Sequence, residues 1–593
     1  ENDPEYGRQF LFRDGICILP TNREGIISYL SSGDFPGIGS KTSERIYEQF
    51  GEKTYEVIDT SPNKLLSIKG FGKKQLKSVL KGREIQRETR EIRTFLGSIG
   101  ITETFIQKIL TQYGSKCVSL IKENPYILFL EVKGIGFVMA DNIANQLGFD
   151  KNSPKRAEGA LINKLDKESQ NGHTCFPKNI LFHDIIDELN KTNNGTIKKE
   201  ILEETLKKLI NSGKIKSLLF KDELGTQVEM LSRPLLYDAE QRIVENIQRL
   251  LESDATPIDA EENLISSQEK RFGIKLDEGQ LEAIHAALQN KVLIITGGPG
   301  TGKTTLVRFI LGMMNLSLQN SVALAAPTGR AAKRLTETTL INASTIHRLL
   351  EADNTGFKRD RDQPLESDFL IIDESSMIDT ELMDKLLEAI RSSSRLVLVG
   401  DVDQLPSVGP GMVLRDLIEC GLIHVVRLER IFRQSEDSLI TTNAHYVRQG
   451  KNPELPRGKN SGKLRDFYFI RREDPKEIVE KITEMVEENI PRAFGFDSFN
   501  EIQVLTPMHK GETGSINLNL KLQSKLNPNG SVFEHREKLF KIGDKIMQQQ
   551  NNYDKQVFNG DTGRIESFDE KSREIYVRFD QGIVKYTGNE IDQ

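Results

Sequence analysis

The chain has 593 residues, of which 37% are apolar and 28% are charged, and its formal net charge is −6. This composition is typical of a globular protein, and the length predicts roughly four domains at about 150 residues each. No apolar run is long enough for a membrane span or a secretory leader, so we predict a cytoplasmic location. The four cysteines are far apart in the sequence, and we expect reduced thiols rather than a metal site.

Residues 1–32 form a short, mixed segment in which Phe10, Phe12, Ile16 and Ile18 alternate as in a β-strand. We interpret the segment as the remnant of an N-terminal β-rich domain, and an ordinary extended arm is the alternative. The chain begins with Glu1 rather than Met, so we expect the natural start to lie elsewhere.

An internal repeat occupies residues 33–150. Turns of the form hydrophobic-x-Gly-hydrophobic-Gly precede helical patterns at residues 35–39, 68–72 and 132–136. The turns are similar to those of helix-hairpin-helix units, in which backbone N–H groups at a helix start face a DNA phosphate. Lys69 and Lys73 lie in the most basic copy, which we expect to bind DNA. The third copy carries Asp141 and little positive charge, and a helical packing module is the alternative for the whole block.

Residues 151–237 alternate amphipathic helices with short strands. A helix is predicted from Ile201 to Ile210 and a strand from Ile215 to Phe220, which together suggest a winged-helix-like connector. His173 and Cys175 lie close together, but two candidate ligands without a partner pair indicate a turn rather than a metal site.

From about residue 238 the strand patterns alternate with helical ones, which predicts a parallel α/β sheet. An apolar run at 292–295 is followed by Gly297-x-x-x-x-Gly302-Lys303-Thr304 and a helical pattern, the context of a phosphate-binding loop. Lys303 would reach the β- and γ-phosphates, and the Thr304 hydroxyl would hold Mg²⁺. The predicted nucleotide contacts in this loop are Gly298, Pro299, Gly300, Thr301, Gly302, Lys303, Thr304 and Thr305. A glycine-rich turn without a nucleotide is the alternative.

The next strands also end in polar residues, at the edge of the sheet where ligands bind. Asp373 and Glu374 follow the apolar run 369–372. Asp373 is suited to hold Mg²⁺ through water, and Glu374 to polarise the attacking water. Gln404 follows another strand and could sense the γ-phosphate.

Further candidates lie on either side of these strands. Arg433 offers a guanidinium that could stabilise charge on the transferred phosphoryl group. Gln280, before the loop, has an amide able to read an adenine edge, although a glutamine on a helix is usually solvated. A buried strand ends at Pro327, Thr328 and Arg330. The polar stretch that follows, at 351–367, is either a protruding hairpin or a disordered loop.

Taken in order, these motifs resemble superfamily 1 DNA helicases, specifically the RecD-type branch in its long form. The matching boxes are the glycine loop, residues 373–377, residues 400–406 and residues 431–434, with weaker matches at 506–514 and 543–561. The resemblance implies an α/β fold with tandem RecA-like P-loop motor lobes at 238–420 and 421–529. It also implies that an all-α helix-hairpin-helix region precedes the lobes and that an SH3-like β insertion occupies 530–593.

The resemblance further implies ATP and Mg²⁺ as cofactors and movement 5′ to 3′ on single-stranded DNA, with unwinding at single-strand/duplex junctions in DNA repair or recombination. Gln280 then matches the family's adenine-reading glutamine. Pro327, Thr328, Arg330 and His347 match its strand-contacting motifs, and the hairpin at 351–367 matches the element thought to split the duplex. Protein partners remain unassigned.

One departure from the family concerns the second lobe. The family continues to a His-Lys-Ser-Gln-Gly-like motif and a later arginine, and neither precedes Gln593. We therefore expect an incomplete second lobe. Two other readings stay open: a DNA-binding P-loop scaffold without motor activity, and another P-loop NTPase such as a kinase or GTPase.

Overall fold

The computed structural model forms two compact units, one of residues 1–164 and 178–213, the other of residues 165–177 and 214–593. The described residues are 2–3, 7–8, 22–31, 38–69, 71–192, 195–221, 225–253, 262–317, 322–353, 355–430, 438–455, 466–535, 538–550, 552, 554–569, 572–580 and 582–592. Within these ranges no helix combines the length and the apolar character that crossing a bilayer requires.

The first unit is largely helical. Two short antiparallel strands, β1 (Asn2–Asp3) and β2 (Gly7–Arg8), pair near its start. Its helices are α1 (Arg23–Leu30), α2 (Ser40–Phe50), α3 (Thr54–Thr60), α4 (Lys73–Ser98), α5 (Glu103–Tyr113), α6 (Cys117–Glu123), α7 (Ile127–Glu131), α8 (Phe137–Gln146), α9 (Pro154–Gln170), α10 (Lys178–Asn190) and α11 (Lys199–Asn211), of which α9 continues into the second unit. The strand predicted around Phe10 and Ile18 lies outside the described residues.

The internal repeat appears as two apolar cores, one at each end of the long helix α4. One core contains Ile26, Leu30, Ile38, Ile46, Ile58, Leu65, Ile68, Phe71, Leu76 and Val79, and the other contains Ile92, Leu96, Ile99, Ile101, Ile106, Ile109, Cys117, Ile121, Leu128, Val132, Ile135 and Ile143. A similar contact occurs at the second and at the third glycine turn. Arg45 donates to the carbonyl of Lys69 at 3.3 Å, and Lys108 donates to that of Lys133 at 3.1 Å.

The structure corrects one expectation for this region. The boundary predicted after residue 32 cuts through the first core, because Ile26 and Leu30 of α1 are completely buried in it.

Asp141, the acidic residue of the third copy, is buried. It accepts hydrogen bonds from Arg156 Nε at 2.7 Å, from Arg156 Nη2 at 2.9 Å and from the Tyr126 hydroxyl at 2.7 Å, so its charge is neutralised inside the unit.

Elements of the predicted connector occur in both units. Helix α11 covers the predicted helix, and strand β4 (Lys216–Lys221) covers the predicted strand. In the second unit β4 pairs with β5 (Gln227–Ser232), which also pairs with β3 (Cys175–Pro177). His173 packs edge-on against Phe176 beside β3. Among the described residues, no three His, Cys, Asp or Glu side chains cluster as metal ligands.

The second unit is built on a six-stranded parallel sheet. Its strands are β6 (Val292–Gly297), β7 (Val322–Ala326), β8 (Ala343–Thr345), β11 (Phe369–Ile372), β12 (Arg395–Gly400) and β13 (His424–Leu428), and the hairpin strands β9 (Ala352–Asp353) and β10 (Gly356–Phe357) lie between β8 and β11 in the chain. The sheet order is β13-β6-β12-β11-β7-β8. The central strands are buried on both faces, as expected where helices cover both sides of a parallel sheet.

Helices surround this sheet. They are α12 (Pro234–Leu251), α13 (Glu262–Phe272), α14 (Glu278–Gln289), α15 (Lys303–Ser317), α16 (Gly329–Thr339), α17 (Ile346–Leu349), α18 (Thr380–Ala389) and α19 (Val413–Glu419). The lobe boundary predicted after residue 420 is too early, because β13 pairs in register with β6 at the edge of this sheet. Of the two alternatives for 351–367, the hairpin is the one observed, since β9 and β10 pair antiparallel.

The region predicted as the second lobe is helical in its described part. Its helices are α20 (Leu439–Arg448), α21 (Pro475–Glu484), a π-helical turn (Met485–Asn489), α22 (Ile490–Phe494) and α23 (Ser515–Leu526). Between residues 429 and 529 no described residue belongs to a strand. Residues 502–505, which include three apolar side chains, have no hydrogen-bonded neighbour strand among the described residues, and the Leu505 side chain is 88% exposed.

A small β domain follows. Its strands are β14 (Val532–His535), β15 (Lys538–Lys541), β16 (Lys545–Met547), β17 (Thr562–Asp569), β18 (Glu574–Phe579) and β19 (Gly582–Thr587), with β14-β15 as one pair and β16-β17-β18-β19 as one antiparallel sheet. A 3₁₀ turn (Gly588–Asp592) ends the described chain. The predicted alternation is confirmed, because Ile575, Val577 and Phe579 on β18 all point into the domain core.

Candidate nucleotide and DNA site

The glycine loop connects the carboxyl end of β6 to the first residue of α15. Gly300 and Gly302 have φ angles of +80° and +79°, a region that L side chains rarely adopt. The Thr301 hydroxyl donates to the Gly298 carbonyl at 2.8 Å and fixes the turn from within. The loop leads directly into the first turn of α15. At such a helix start, the backbone N–H groups and the helix dipole attract phosphate.

Lys303 lies folded back over this loop. Its amine donates to the carbonyl of Gly297 at 2.6 Å and to that of Gly298 at 3.1 Å. Burial lowers the pKa of Lys303, and the nearby carboxylates of Asp401, Glu374 and Asp373 oppose that shift. The amine thus occupies a desolvated position beside the place where a phosphate would lie.

Two carboxylates face this amine from the end of β11. Asp373 is 8% exposed, and burial raises its pKa. Burial, and then the charge of Asp373, raise the pKa of Glu374, while Lys303 and Arg334 lower it. Arg334, on the exposed face of α16, is a cation near this pair that sequence reasoning did not single out.

Glu374 is unusual in both backbone and side chain. It has φ 52° and ψ 39°, the left-handed region that costs a non-glycine residue about 1–2 kcal/mol. Its Oε2 atom is buried and has no hydrogen-bond partner among the described residues. A strained residue with an unsatisfied buried carboxylate is typical of a functional position.

The strand β12 lies between β6 and β11, and its carboxyl end completes the site. Asp401 is buried, accepts the backbone N–H of Asp403 at 3.2 Å and accepts the Gln404 side-chain amide at 3.2 Å. The Val402 N–H donates to the hydroxyl of Thr296, the penultimate residue of β6, at 3.4 Å. Gln404 is therefore held at the same edge of the sheet as the glycine loop.

Two other residues predicted to contact the nucleotide are Gln280 and Arg433. Gln280 is 2% exposed, and its Oε1 accepts the Asp277 N–H at 3.3 Å in a capping box at the start of α14. Its amide N–H₂ is the part left for reading a base. Arg433 lies outside the described residues.

The helix α20 packs directly on the loop, which the sequence did not predict. A side-chain carbon built on Gly298 would lie 3.2 Å from His445 Cε1 and 3.8 Å from Arg448 Nη1. Arg448 Nε also pairs with Asp403 Oδ2 at 2.6 Å. A histidine and an arginine on an amphipathic helix are usually solvated, so the sequence carries no signal for this contact.

The predicted DNA contacts of the second unit lie at α16, α17 and the hairpin. Thr328 caps α16, its hydroxyl oxygen accepting the Ala331 N–H at 3.2 Å, and Arg330, two residues further on, is exposed. Burial lowers the pKa of Lys545 on β16, and the charge of Arg330 lowers it further, so these two cations are neighbours. His347 packs against Phe357 of the hairpin with ring centroids 5.8 Å apart.

The predicted DNA contacts of the first unit lie at the second glycine turn, residues 68–72. Lys69 is part of this turn and Lys73 is the first residue of α4, and both are exposed. Gly72 begins this helix, and its N–H donates to the Gln75 side chain at 2.9 Å. The helix start therefore presents backbone N–H groups between two lysines.

Comparisons with known proteins match each part of this architecture. Family models match as follows: the SAM-like helix-hairpin-helix tandem over residues 33–83, the ATP-dependent RecD2 DNA helicase HHH domain over residues 85–175, an AAA domain over residues 280–410, and the ATP-dependent RecD-like DNA helicase SH3 domain over residues 518–579.

Curated relatives agree with the family models. The ATP-dependent RecD2 DNA helicase of Deinococcus radiodurans is 29% identical over 596 aligned positions, covering 100% of this chain and 80% of the relative. The RecBCD enzyme subunit RecD of Mycobacterium tuberculosis is 32% identical, covering 50% of this chain and 56% of the relative. The chain thus spans little more than half the length of that subunit.

Solved structures give a weaker likeness. A Bacteroides Pif1 helicase in complex with ADP-AlF3 and ssDNA is 18% identical, covering 53% of this chain and 75% of that one, with a TM-score of 0.32. The order of the matched domains and the alignment over the whole chain identify this chain as an ATP-dependent DNA helicase of the RecD type, in the long form with N-terminal helix-hairpin-helix repeats.

Proposed function

We propose that this chain hydrolyses ATP at the glycine loop and converts each turnover into a step along single-stranded DNA, opening duplex at a junction. The observation that carries the proposal is that Lys303 and Glu374 lie near each other at the glycine loop. Lys303 is a half-buried amine that donates to the loop carbonyls of Gly297 and Gly298. Glu374 has a strained backbone and a buried Oε2 atom without a hydrogen-bond partner among the described residues. Both are poised for a ligand with phosphate oxygens and a water molecule.

Lys303 takes the β- and γ-phosphates in this proposal. Phosphate oxygens would replace the carbonyls of Gly297 and Gly298 as its acceptors, and a charged acceptor makes the stronger hydrogen bond. The main-chain N–H groups of Gly298 and of residues 300–305 complete the cradle; Pro299 has no N–H to donate. The Gln280 amide is assigned to the adenine edge.

Asp373 and Thr304 would hold Mg²⁺, and their fit is good. Mg²⁺ is usually bound by one or two carboxylates together with substrate phosphates rather than by an all-protein cage. That agrees with the described residues, which offer buried Asp373 but no cluster of three ligating side chains. When bound, the ion neutralises developing charge on the phosphates.

Glu374 is assigned to the attacking water. The raised pKa of Glu374 lies closer to the working pH than that of an ordinary carboxyl group, and a general base is most effective when its pKa is near that pH. Gln404, tied to Asp401, would sense the γ-phosphate from the neighbouring strand end. Arg433 is assigned to transition-state charge, and hydrolysis then requires closure of the cleft that brings it in.

DNA contacts follow from exposed cations and helix starts. Pro327, Thr328, Arg330 and His347 are assigned to the single strand, with the hairpin at 352–357 at the junction. Lys69 and Lys73 are assigned to a phosphate in the first unit. Contacts of this kind tolerate sequence and weaken with salt. A cytoplasmic location and a role in DNA repair or recombination complete the proposal.

Strand displacement tests the proposal. Duplexes with 5′ or 3′ single-stranded tails are mixed with the protein, ATP and Mg²⁺, and release of the labelled strand is followed. Release from the 5′-tailed substrate alone is expected, from the family resemblance. Release from the 3′-tailed substrate alone would overturn the direction, and no release with DNA-independent ATP turnover would favour another P-loop NTPase.

The scaffold alternative has its own signature. A DNA-binding scaffold without motor activity would bind both substrates and hydrolyse no ATP. An ATPase assay with and without single-stranded DNA separates this outcome from a motor, for which DNA should stimulate turnover.

A further inference from the structure

Helix α20 brings two side chains to the outer part of the glycine loop. His445 and Arg448 are three residues apart, so they lie on the same face of the helix. A carbon built on Gly298 would lie 3.2 Å from His445 Cε1, 3.5 Å from His445 Nε2 and 3.8 Å from Arg448 Nη1. The face of α20 is therefore part of the wall around the loop.

His445 has an unused polar atom at this wall. Its Nε2 is buried and has no hydrogen-bond partner among the described residues. A buried ring nitrogen without a partner is costly, and its position against Gly298 makes a loop-bound ligand the natural partner.

Arg448 is already paired, but with a partner it can exchange. Its Nε lies 2.6 Å from Asp403 Oδ2, and the two side chains are 44% and 36% exposed. Solvated ion pairs are weakly held. A phosphate accepts two parallel hydrogen bonds from a guanidinium and would compete well for the same group.

The position along the loop selects the phosphate. Residues 302–304 lie at the start of α15, and Gly298 lies directly after β6. In the ATP site proposed above, the backbone N–H groups at the helix start are assigned to the inner phosphates, and the surroundings of Gly298 are assigned to the γ-phosphate, which the Lys303 side chain also reaches. We propose that Arg448, assisted by His445, binds the γ-phosphate of ATP and that this phosphate displaces Asp403 from Arg448. The proposal rests on the ATP site proposed above and adds α20 to it.

Displacement of Asp403 has a consequence for the adjacent residue. Gln404 follows Asp403 directly, and both hydrogen-bond to Asp401. When ATP binds, the ion pair between Arg448 and Asp403 breaks and one end of this turn is released. When only ADP remains, the ion pair forms again. The pair thus reports the presence of a γ-phosphate to the 401–404 turn.

Nucleotide binding without DNA tests the phosphate contact. Fluorescent ADP and a fluorescent non-hydrolysable ATP analogue are titrated with Mg²⁺ into wild-type protein and Arg448→Gln, Arg448→Lys and His445→Ala variants. Arg448→Gln should lose roughly 10-fold or more in analogue affinity relative to ADP, the effect of one charged hydrogen bond. Arg448→Lys and His445→Ala should show smaller losses with the same preference. Equal effects on both nucleotides, or none, would overturn the contact.

A double-variant cycle tests the exchange with Asp403. Asp403→Asn should strengthen analogue binding in the wild-type background because Arg448 is released. In the Arg448→Gln background the same substitution should have little effect. Equal strengthening in both backgrounds would mean that Asp403 acts by simple repulsion, and the exchange would be wrong.

Two controls isolate the inference. Arg492→Gln removes a different exposed arginine, paired with Glu488 at 3.1 Å, and should leave both affinities unchanged. Lys303→Ala should abolish tight binding of both nucleotides. If it does not, the proposed ATP site fails; if it does while Arg448→Gln has no selective effect, only the role of α20 fails.

Discussion

The two units each bury a carboxylate, and they treat it in opposite ways. Asp141 in the helix-hairpin-helix unit is 3% exposed, and Arg156 and Tyr126 satisfy both its oxygens. Glu374 in the motor unit is also desolvated, yet its Oε2 has no partner in the described structure and its backbone is strained. A buried charge that is fully paired stabilises one arrangement, whereas one left unpaired is available to a ligand.

The largest expected effect is the loss of ATP hydrolysis when the charge beside Glu374 is removed. Lys303→Ala removes the cation that faces Glu374 and the proposed phosphates, and DNA-stimulated ATP hydrolysis should fall roughly 100-fold or more. Steady-state phosphate release with saturating single-stranded DNA measures it. Normal turnover in this variant would place the nucleotide elsewhere.

The second effect is on stability and concerns the paired carboxylate. Asp141→Ala leaves the guanidinium of Arg156 buried without its anion, and the first unit should lose about 3–5 kcal/mol of unfolding free energy. Urea unfolding followed by circular dichroism measures it. The matched double variant Asp141→Leu/Arg156→Met should recover most of the loss, and a single variant as stable as wild type would contradict the structural role.

The pH dependence of stability should reveal the raised pKa of Glu374. The pKa of Glu374 is raised in the folded protein, so its stability contribution is full below the usual carboxyl range and declines as pH rises through the raised pKa. Glu374→Gln lacks this decline and should gain stability over wild type above that range. Unfolding at a series of pH values measures the difference, and a constant offset across pH would contradict the assigned shift.

The smallest effect concerns the DNA phosphate proposed for the first unit. Lys69→Ala/Lys73→Ala should weaken single-stranded DNA binding a few-fold and reduce the salt slope by roughly one or two contacts. Fluorescence anisotropy at several salt concentrations measures both quantities. Lys207→Ala, an exposed lysine on α11, is the charge control, and an equal loss there would remove the assignment.

Local sequence signals predicted the parts of the fold that depend on few neighbours. The glycine loop, the strand ending at Asp373 and the alternation on β18 follow from hydrophobic period and from motif spacing. The place of β13 in the six-stranded parallel sheet could not be predicted in this way, because a strand pattern such as His424–Leu428 does not indicate which sheet the strand joins. The Asp141–Arg156 pair depends on residues that meet only after folding.

The candidate site shows the same limit. Lys303, Glu374 and Gln404 belong to motifs, and the sheet brings their elements to one edge. His445 and Arg448 come from an element that the sequence shows only as an ordinary helix, and Lys545 lies in the weaker match at 543–561, where the sequence indicated no role for it. Their positions depend on how those elements pack on the loop and on α16, which no local pattern records.

ATP hydrolysis by Glu374→Gln tests the central claim most directly, when measured beside nucleotide affinity and with and without single-stranded DNA. The variant should bind ATP at least as tightly as wild type and lose DNA-stimulated turnover by roughly 100-fold or more, because the group that activates water is gone. Turnover equal to wild type, with DNA stimulation intact, would contradict the assignment of Glu374 and the motor mechanism built on it.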